Sequence, residues 1–215
     1  MIEVKNLNLN YIKEYAALYN INLTVEDNEK IALIGDNESG KTSLIRCLCG
    51  LEHYNKGEVY LNKINLKKIN FKRDVNLLYL SSNPAFFANK SVYLNLAYSL
   101  KIRNFSENMI NQKINRALDQ LGLEGLKERK IKTLTDNERL IVNIARSILR
   151  EADIYLVDDI FRFDKVTNEK IAKVLKENFN EKASIIYALD NKNADLARIL
   201  NVNRVLSISN GSITN

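Results

Sequence analysis

The stretch GDNESGKTS, residues 35–43, decides the fold of this chain. Gly35, Gly40, Lys41 and Thr42 stand at the spacing of a phosphate-binding loop, in which backbone N–H groups surround the phosphates of a nucleotide. In such a loop the lysine reaches the terminal phosphates and the following hydroxyl binds Mg²⁺. The apolar run KIALIG precedes the loop and a pattern of helical period follows it. The sequence therefore predicts a strand, the loop and a helix in succession.

The composition is that of an ordinary globular domain. The chain has 215 residues, of which 46% are hydrophobic and 27% charged, with one Pro and seven Gly. This length suits one domain, residues 1–215, with room for an inserted subdomain, and the few Pro and Gly residues argue against a long disordered linker. The longest apolar runs are too short to cross a bilayer, and the opening residues MIEVKNLNLN lack the features of a secretory signal. We therefore expect a cytoplasmic protein.

Net charge and cysteine content argue against two further classes of site. The formal net charge is +6 and the sequence pI about 9.1, but the lysines are scattered among nearly as many acidic residues. A solvated surface explains this pattern better than a nucleic-acid interface, and no nucleic acid is expected as a partner. Cys47 and Cys49 are two residues apart on a predicted helix, so they face different sides. We expect two buried core residues, with neither a disulfide nor a shared metal.

The order of the remaining segments favours an α/β fold with a mostly parallel, covered sheet. Short apolar stretches in the first third predict strands, with hairpin-like turns at 26–28 and 56–57. Residues 84–149 have a helical pattern and are interpreted as an inserted helical subdomain. Beyond the insert the sequence predicts the strand IYLVD, a helix over 167–180, the strand SIIYAL, a short helix near 193–200 and the strand RVLSI.

A pair of acidic residues ends the apolar run DIYLVDD, residues 153–159. A phosphate-binding loop requires a second carboxylate on the metal side, at the end of a hydrophobic strand. Asp158 occupies that position and is predicted as the outer-sphere partner of Mg²⁺, with Thr42 offering its hydroxyl to the ion. Asp159 follows directly, and the alternative is that the two adjacent acids only cap a helix.

By these segments and their order, the chain resembles the ATP-binding subunit of ABC transporters over nearly its whole length. NLNLNY, residues 6–11, is similar to the opening strand of that family, with Tyr11 as the aromatic residue that stacks on adenine. LTDNE, residues 134–138, lies where the family signature belongs, and IYLVDDIFRFD resembles the second Walker motif and the D-loop. The resemblance implies a P-loop NTPase of the ABC ATPase type, with an N-terminal antiparallel β subdomain and a helical insert. It also implies ATP and Mg²⁺ as ligands.

The resemblance further implies partners and a location. We expect a homodimer or a heterodimer with another ABC ATPase, docked at the cytoplasmic face of a membrane on a membrane-spanning transporter subunit. The predicted nucleotide contacts are Tyr11, Gly35, Asp36, Asn37, Glu38, Ser39, Gly40, Lys41, Thr42, Ser43 and Thr135. Thr42 and Asp158 are predicted at the metal, and Lys41 and Asp159 as catalytic. Phe86 and Phe87 are either core residues, or one of them contacts the membrane subunit.

Several family positions carry other residues. Ser82 stands where the family has a Gln, the signature has lost both glycines, Asp159 replaces a Glu, Ile160 replaces a Pro and Leu189 replaces the switch His. The D-loop is one residue short, with Asp164 as its acid. These residues cannot supply the same hydrogen bonds, so we expect slow hydrolysis or none. In a mixed dimer this chain would weaken its own site and, through residues 135–138, the partner's site.

Three functional hypotheses follow. The first is a transporter subunit that binds Mg·ATP, the second a regulatory ATP-binding module without a transport role, and the third a nucleic-acid-linked member of the family. Within the phosphate loop, Glu38 stands where the family has Gly. It either points to solvent with little effect, or lowers ATP affinity by repulsion, or partly replaces a carboxylate near the metal.

Overall fold

The computed structural model describes residues 1–12 and 15–214, which form two sheets and the helices around them. The strands are β1 (Ile2–Ile12), β2 (Tyr15–Val25), β3 (Lys30–Ile34), β4 (Lys56–Leu61), β5 (Ile64–Asn65), β6 (Leu77–Ser81), β7 (Ile154–Asp158), β8 (Ser184–Leu189), β9 (Arg204–Ser209) and β10 (Ser212–Thr214). Four of them form an antiparallel sheet in the order β2-β1-β4-β5. The other six form a sheet in the order β10-β9-β3-β8-β7-β6, parallel except for β10. The expected antiparallel sheet and mostly parallel core sheet are thus confirmed.

The helices are α1 (Lys41–Leu48), α2 (Val92–Ile102), α3 (Glu107–Leu121), α4 (Asp136–Ile148), α5 (Lys165–Asn178) and α6 (Leu196–Ile199). Four helices begin at a side-chain N-cap, a residue whose oxygen accepts a hydrogen bond from an N–H of the first turn. These caps are Ser91 for α2, Ser106 for α3, Thr135 for α4 and Asp164 for α5. The helix expected over 167–180 is present two residues earlier. Within the stretch expected to be helical near 193–200, α6 is a single turn, preceded by the 3₁₀ turn Asn191–Asn193.

Alternation along the central strands divides the core into two layers. In β7, Tyr155 and Val157 join the hydrophobic cluster that also contains α2 to α6, whereas Ile154 and Leu156 join the cluster beneath α1 and the antiparallel sheet. Successive side chains of a strand point to opposite faces, so a strand buried on both faces is apolar throughout. The helices α2, α3 and α4 follow β6 and share one cluster with the large sheet. The division of the chain into a core and an insert at about 84–149 stays a prediction.

Two expected hairpin-like turns differ in the structure. A turn is present at residues 26–28, where the Glu29 N–H donates to the Glu26 carbonyl oxygen at 3.2 Å, but it connects β2 of the antiparallel sheet to β3 of the other sheet and closes no hairpin. Lys56 and Gly57 lie inside β4. Gly57 has a φ of +99°, and an added Cβ would lie 2.5 Å from the carbonyl oxygen of Asn6, so this glycine permits close approach of two strands rather than a reversal. The tight turn is at Asn62 and Lys63, both with positive φ, between β4 and β5.

Other expectations about the chain are confirmed. Cys47 and Cys49 are both free and buried, and burial raises the pKa of each thiol to about 12. His53 is exposed. Among the described residues, each helix falls short of the length and apolar character that a bilayer crossing requires. Pairing of Ser81 with Asp158 and of Ile34 with Leu189 aligns the carboxyl ends of β6, β7, β3 and β8 at one edge of the sheet. Sites in open parallel sheets form at such an edge.

Candidate nucleotide-binding site

The phosphate loop leaves β3 at this edge and enters α1, and its glycines have structural causes. An added Cβ at Gly35 would lie 2.3 Å from the carbonyl oxygen of Ile208. Gly40 has a φ of +107°, and a Cβ there would lie 2.8 Å from the carbonyl oxygen of Ala17. Side chains are therefore excluded at both positions, and the backbone N–H groups at the start of α1 stay open to an anion.

Lys41 lies folded back within the loop. Its buried ammonium donates hydrogen bonds of 2.7 Å to the carbonyl oxygens of both Gly35 and Asp36, and its Nζ lies 3.3 Å from Oδ1 of Asp190. The carboxylate of Asp36 accepts a hydrogen bond of 2.6 Å from the Asn191 amide. A buried cation with these partners holds the curve of the loop and is positioned at the base of the cavity described next.

A cavity of about 950 Å³ opens over the loop. This volume suits a nucleotide-sized ligand, since small-molecule sites occupy roughly 300–1,000 Å³. Its lining consists of Tyr11, Ala17, Asn37, Glu38, Ser39, Gly40, Lys41, Thr42, Ser43, Asp158, Asp159, Phe161, Arg162, Ala188, Asp190, Lys192 and Asn193. Most predicted site residues line this cavity. Gly35 and Asp36, at the start of the loop, are not part of its lining.

The metal end of the cavity is defined by Asp158. Thr42 Oγ1 donates to its Oδ1 at 3.0 Å, and the Tyr79 hydroxyl donates to its Oδ2 at 3.0 Å. Burial raises the pKa of Asp158 above its usual range, partly offset by these two hydrogen bonds, while the nearby Asp159 charge raises it further. Tyr79 was not identified from the sequence; it lies on β6 opposite Leu156, two residues before Asp158 in the register of the sheet.

Asp159 is held in an unusual conformation beside Asp158. Its φ is +53°, and its carboxylate is about half exposed. Ser82 Oγ donates to Oδ2 of Asp159 at 3.1 Å, and Arg162 Nε lies 3.6 Å from the same oxygen. The two altered family positions, Ser82 and Asp159, thus contact each other directly, and one carboxylate oxygen is shared between a hydroxyl and a guanidinium.

Leu189 does not face the cavity. Its side chain is 1% exposed within the core, and its carbonyl oxygen accepts the Gly35 N–H at 3.2 Å. The next residue, Asp190, lines the cavity instead, together with Lys192 and Asn193. None of these three was identified from the sequence. Their position just after β8, at the carboxyl edge of a parallel sheet, is the signal that could have found them.

Tyr11 and Glu38 lie at the rim. The Tyr11 hydroxyl is 3.2 Å from Ser43 Oγ, and its ring is 52% exposed, as a stacking surface requires. Glu38 is exposed, has a φ of +65° and lines the cavity. An L-residue in this left-handed conformation is strained, whereas glycine adopts it freely.

The predicted signature residues lie apart from this cavity, at the start of α4. Thr135 and Glu138 form a capping box, in which the Thr135 hydroxyl accepts the Glu138 N–H at 3.2 Å and Glu138 Oε2 accepts the Thr135 N–H at 2.8 Å. Arg139 pairs with Asp136, and Arg129 NH1 lies 3.5 Å from Glu138 Oε1. Each of these two carboxylates therefore has a cationic neighbour within the chain.

Phe86 and Phe87 have different environments. Phe86 packs against the core, and the Arg146 guanidinium lies 4.5 Å from its ring centroid. Phe87 is 53% exposed and meets the ring of Tyr98 edge to face at 5.1 Å. One aromatic is thus a core residue and the other a surface residue.

Comparison with known proteins adds the family. The family model described as "ABC transporter" matches residues 18–162, more than half of the chain. The spermidine/putrescine import ATP-binding protein of Spiroplasma citri is 31% identical over 160 residues, covering 74% of this chain and 45% of that protein. The multiple sugar-binding transport ATP-binding protein of Streptococcus mutans is 33% identical over 161 residues, covering 71% and 42%. The chain thus spans less than half the length of these relatives.

Solved structures show the same fold. A dimeric ATP-binding cassette in a post-hydrolysis state, bound to ADP and Pi, superposes with a TM-score of 0.83 at 22% identity, covering 100% of this chain and 97% of that one. A component of an ABC transporter complex from Clostridium perfringens superposes with a TM-score of 0.76 at 22% identity, covering 100% and 86%. The fold of the chain therefore has close architectural counterparts.

Proposed function

The chain belongs to the ABC transporter family, and on that premise we propose that it is an ATP-binding subunit of a transporter that binds Mg·ATP and hydrolyses it slowly or not at all. One observation carries the proposal: a complete phosphate loop, with Lys41 buried at its base, faces a carboxylate that contacts the loop hydroxyl, Thr42 with Asp158, across a cavity of nucleotide size. The relatives named above are themselves described as ATP-binding proteins of import or transport systems.

The residues present fit Mg²⁺. Thr42 and Asp158 supply a hydroxyl and a carboxylate oxygen that lie 3.0 Å apart, the hard oxygen ligands that this ion prefers. No cluster of three or more acidic, His or Cys side chains forms a metal cage in the described part of the chain. Mg²⁺ usually binds through one or two protein groups, with substrate phosphates and water completing its shell, so two ligands suffice. When bound, the ion would neutralise charge on the phosphates.

Slow hydrolysis follows from the surroundings of Asp159. A general base must approach the attacking water within hydrogen-bond distance and with a free lone pair. Asp159 is one methylene shorter than the Glu of the family, and its Oδ2 already accepts from Ser82 and faces Arg162. The neighbouring Leu189 is buried and lacks a polar atom. We propose that the site retains nucleotide and turns it over well below the usual ~10 s⁻¹ of enzymes.

A patch on α2 supports the membrane partner. Leu94, Tyr98 and Ile102 are exposed and four residues apart, so they share one face of the helix, and Phe87 extends that face by its contact with Tyr98. An exposed apolar patch of this kind marks an interaction surface. We propose that it meets a membrane-spanning subunit on another chain at the cytoplasmic face of the membrane. The membrane subunit and the transported substrate have no counterpart among the described residues.

The second candidate function is a regulatory module that uses ATP to switch a dimer. The same contact between Ser82 and Asp159 favours it, because a switch needs nucleotide affinity but little turnover. In both cases we propose a homodimer or a heterodimer, with the start of α4 as the part that meets the partner's nucleotide. The apolar patch on α2 distinguishes the two, since a module without a membrane partner has no use for it.

Nucleotide binding tests the proposal. Wild type is expected to bind ATP in the micromolar range, an order of magnitude common for ligands, with affinity that rises on addition of Mg²⁺. Lys41→Ala should abolish binding. Thr42→Val, which removes a hydroxyl at constant volume, should remove the Mg²⁺ dependence and leave weak metal-free binding. Lys182→Ala, an exposed lysine outside the cavity, is the matched control and should bind as wild type. Binding that is insensitive to Lys41→Ala would contradict the proposal.

A further inference from the structure

Two cationic side chains that the family comparison does not assign line the nucleotide cavity. Arg162 lies on the loop after β7 and Lys192 on the 3₁₀ turn after β8. Arg162 makes one ion pair in the described part of the chain, at 3.6 Å to Asp159. Lys192 makes neither a hydrogen bond nor an ion pair with any described residue and is exposed. Both side chains therefore retain donors that a ligand in the cavity can use.

Buried amides fix the backbone that carries these cations. Asn168 is 2% exposed, and its Nδ2 donates to the carbonyl oxygen of Phe163 at 3.0 Å and to Oδ1 of Asn193 at 3.2 Å. Asn193 in turn donates to the carbonyl oxygen of Phe161 at 2.9 Å. The Phe163 N–H donates back to Asn168 Oδ1 at 3.2 Å. The loop that carries Arg162 and the turn that carries Lys192 are thus joined, and both sit on a rigid base.

Both cations lie at the phosphate end of the cavity. Lys192 follows Asp190, which lies 3.3 Å from the ammonium of Lys41. Arg162 contacts Asp159, the residue after the metal-side carboxylate. Tyr11, on which the base would stack, lies at the rim beside Ser43 on α1, on a different element from either cation. A cation on these loops therefore meets the terminal phosphates rather than the base.

The charge of the cavity favours such cations in addition to Mg²⁺. Lys41 is already engaged by two carbonyl oxygens and Asp190, whereas the lining also contains the carboxylates of Glu38, Asp158 and Asp159. A triphosphate adds negative charge to that set, and its repulsion must be offset at close range. Leu189 contributes nothing, because its side chain lies in the core.

We propose that Arg162 and Lys192 bind the terminal phosphate of ATP and thereby make the site prefer ATP over ADP. The inference rests on the proposed function, since it assumes that the cavity holds adenine nucleotides. Guanidinium and ammonium groups both recognise phosphate oxygens, the first in a fork and the second as a point charge. The Nε of Arg162 stays beside Asp159, and its two terminal nitrogens are the donors for the phosphate.

The ratio of ADP to ATP dissociation constants, measured by calorimetry with Mg²⁺ on the full chain, tests the inference. Arg162→Ala and Lys192→Ala should each weaken ATP about fivefold, a value reduced for exposure and salt screening, and change ADP affinity less than twofold. Arg162→Lys and Lys192→Arg, which keep the charge, should restore most of the ATP affinity. Arg116→Ala on α3 and Lys182→Ala, both exposed and outside the cavity, are matched controls and should leave the ratio unchanged.

The possible failures are distinguishable. If wild type binds ATP in a manner that depends on Lys41, but both alanine variants keep the wild-type ratio, the inference is overturned and the proposed function stands. Equal weakening of ATP and ADP would also overturn it, because the cations would then act on the inner phosphates or on the general field. If wild type binds neither nucleotide, the proposed function fails and the inference falls with it.

Discussion

Replacement of Glu38 by glycine is expected to make the protein both more stable and a better nucleotide binder. Glu38 has a φ of +65° and is exposed, and it makes neither a hydrogen bond nor an ion pair with the described residues. The left-handed conformation costs an L-residue about 1–2 kcal/mol. The greater freedom of glycine in the unfolded chain returns about 0.4–1 kcal/mol of that. The unfolding free energy should therefore rise by about 0.5–1 kcal/mol, which corresponds to a Tm increase of about 1–4 °C for a domain of this size.

The charge of Glu38 affects ATP affinity, separately from the effect of its backbone strain on stability. Its carboxylate lines a cavity intended for phosphates, but it is exposed to water and salt, so the repulsion is largely screened. Removal of the charge should tighten ATP binding by about two- to threefold, a small gain because solvent and salt screen most of the repulsion between the carboxylate and the phosphates.

Two variants separate backbone strain from charge. Glu38→Gly removes both, whereas Glu38→Gln removes the charge and keeps the strained side chain. Urea unfolding should show a gain for the glycine variant alone, and calorimetry should show tighter ATP binding for both. A glycine variant less stable than wild type would refute the strain argument. Equal stabilisation by glutamine would assign the effect to charge instead of the backbone.

Three further predictions concern other parts of the chain. Glu138→Gln should lower the free energy of unfolding near neutral pH. The backbone N–H of Thr135 holds the pKa of Glu138 below its usual value, so the ionised form stabilises the fold and this contribution is lost as Glu138 is protonated. In urea unfolding, the difference between the variant and wild type should therefore shrink as pH falls below about 4. Leu189→His should cost about 2 kcal/mol or more in thermal unfolding, since it buries an imidazole in the core without a partner, and it should leave ATP turnover unrestored; a stable variant with faster turnover would show that the side chain turns toward the cavity. Phe87→Asp should change stability by less than about 0.5 kcal/mol yet prevent co-purification with a membrane subunit encoded nearby, and an intact complex would place the docking surface elsewhere.

The residues whose place in the fold follows from the sequence depend on local pattern. Gly35 and Gly40 follow a spacing that only close backbone approach explains, and Asp158 ends an apolar run that can only be a buried strand. Lys41 and Thr42 follow from the loop itself. Each of these positions is determined by neighbours within a few residues, so the sequence contains the information needed to place them.

The residues that the sequence missed depend on long-range register. Asp190 and Lys192 reach the loop because β8 lies beside β3 with Leu189 opposite Ile34, a pairing that spans most of the chain. Arg129 compensates Glu138 through a contact that local spacing does not imply. The sequence predicts a turn at Gly57, because a glycine at a chain reversal and a glycine at the close approach of another strand give the same local pattern.

The most direct test of whether ATP binding is kept while hydrolysis is impaired is the steady-state ATP hydrolysis rate of the purified wild-type chain. The rate is measured with Mg²⁺, at an ATP concentration that the binding curve of the protein shows to be saturating. The expected result is saturable binding that Lys41→Ala abolishes, together with turnover far below the ~10 s⁻¹ typical of enzymes. Turnover near that ordinary value, likewise abolished by Lys41→Ala, would contradict the conclusion that Asp159, held by Ser82 and Arg162, is a poor catalytic base.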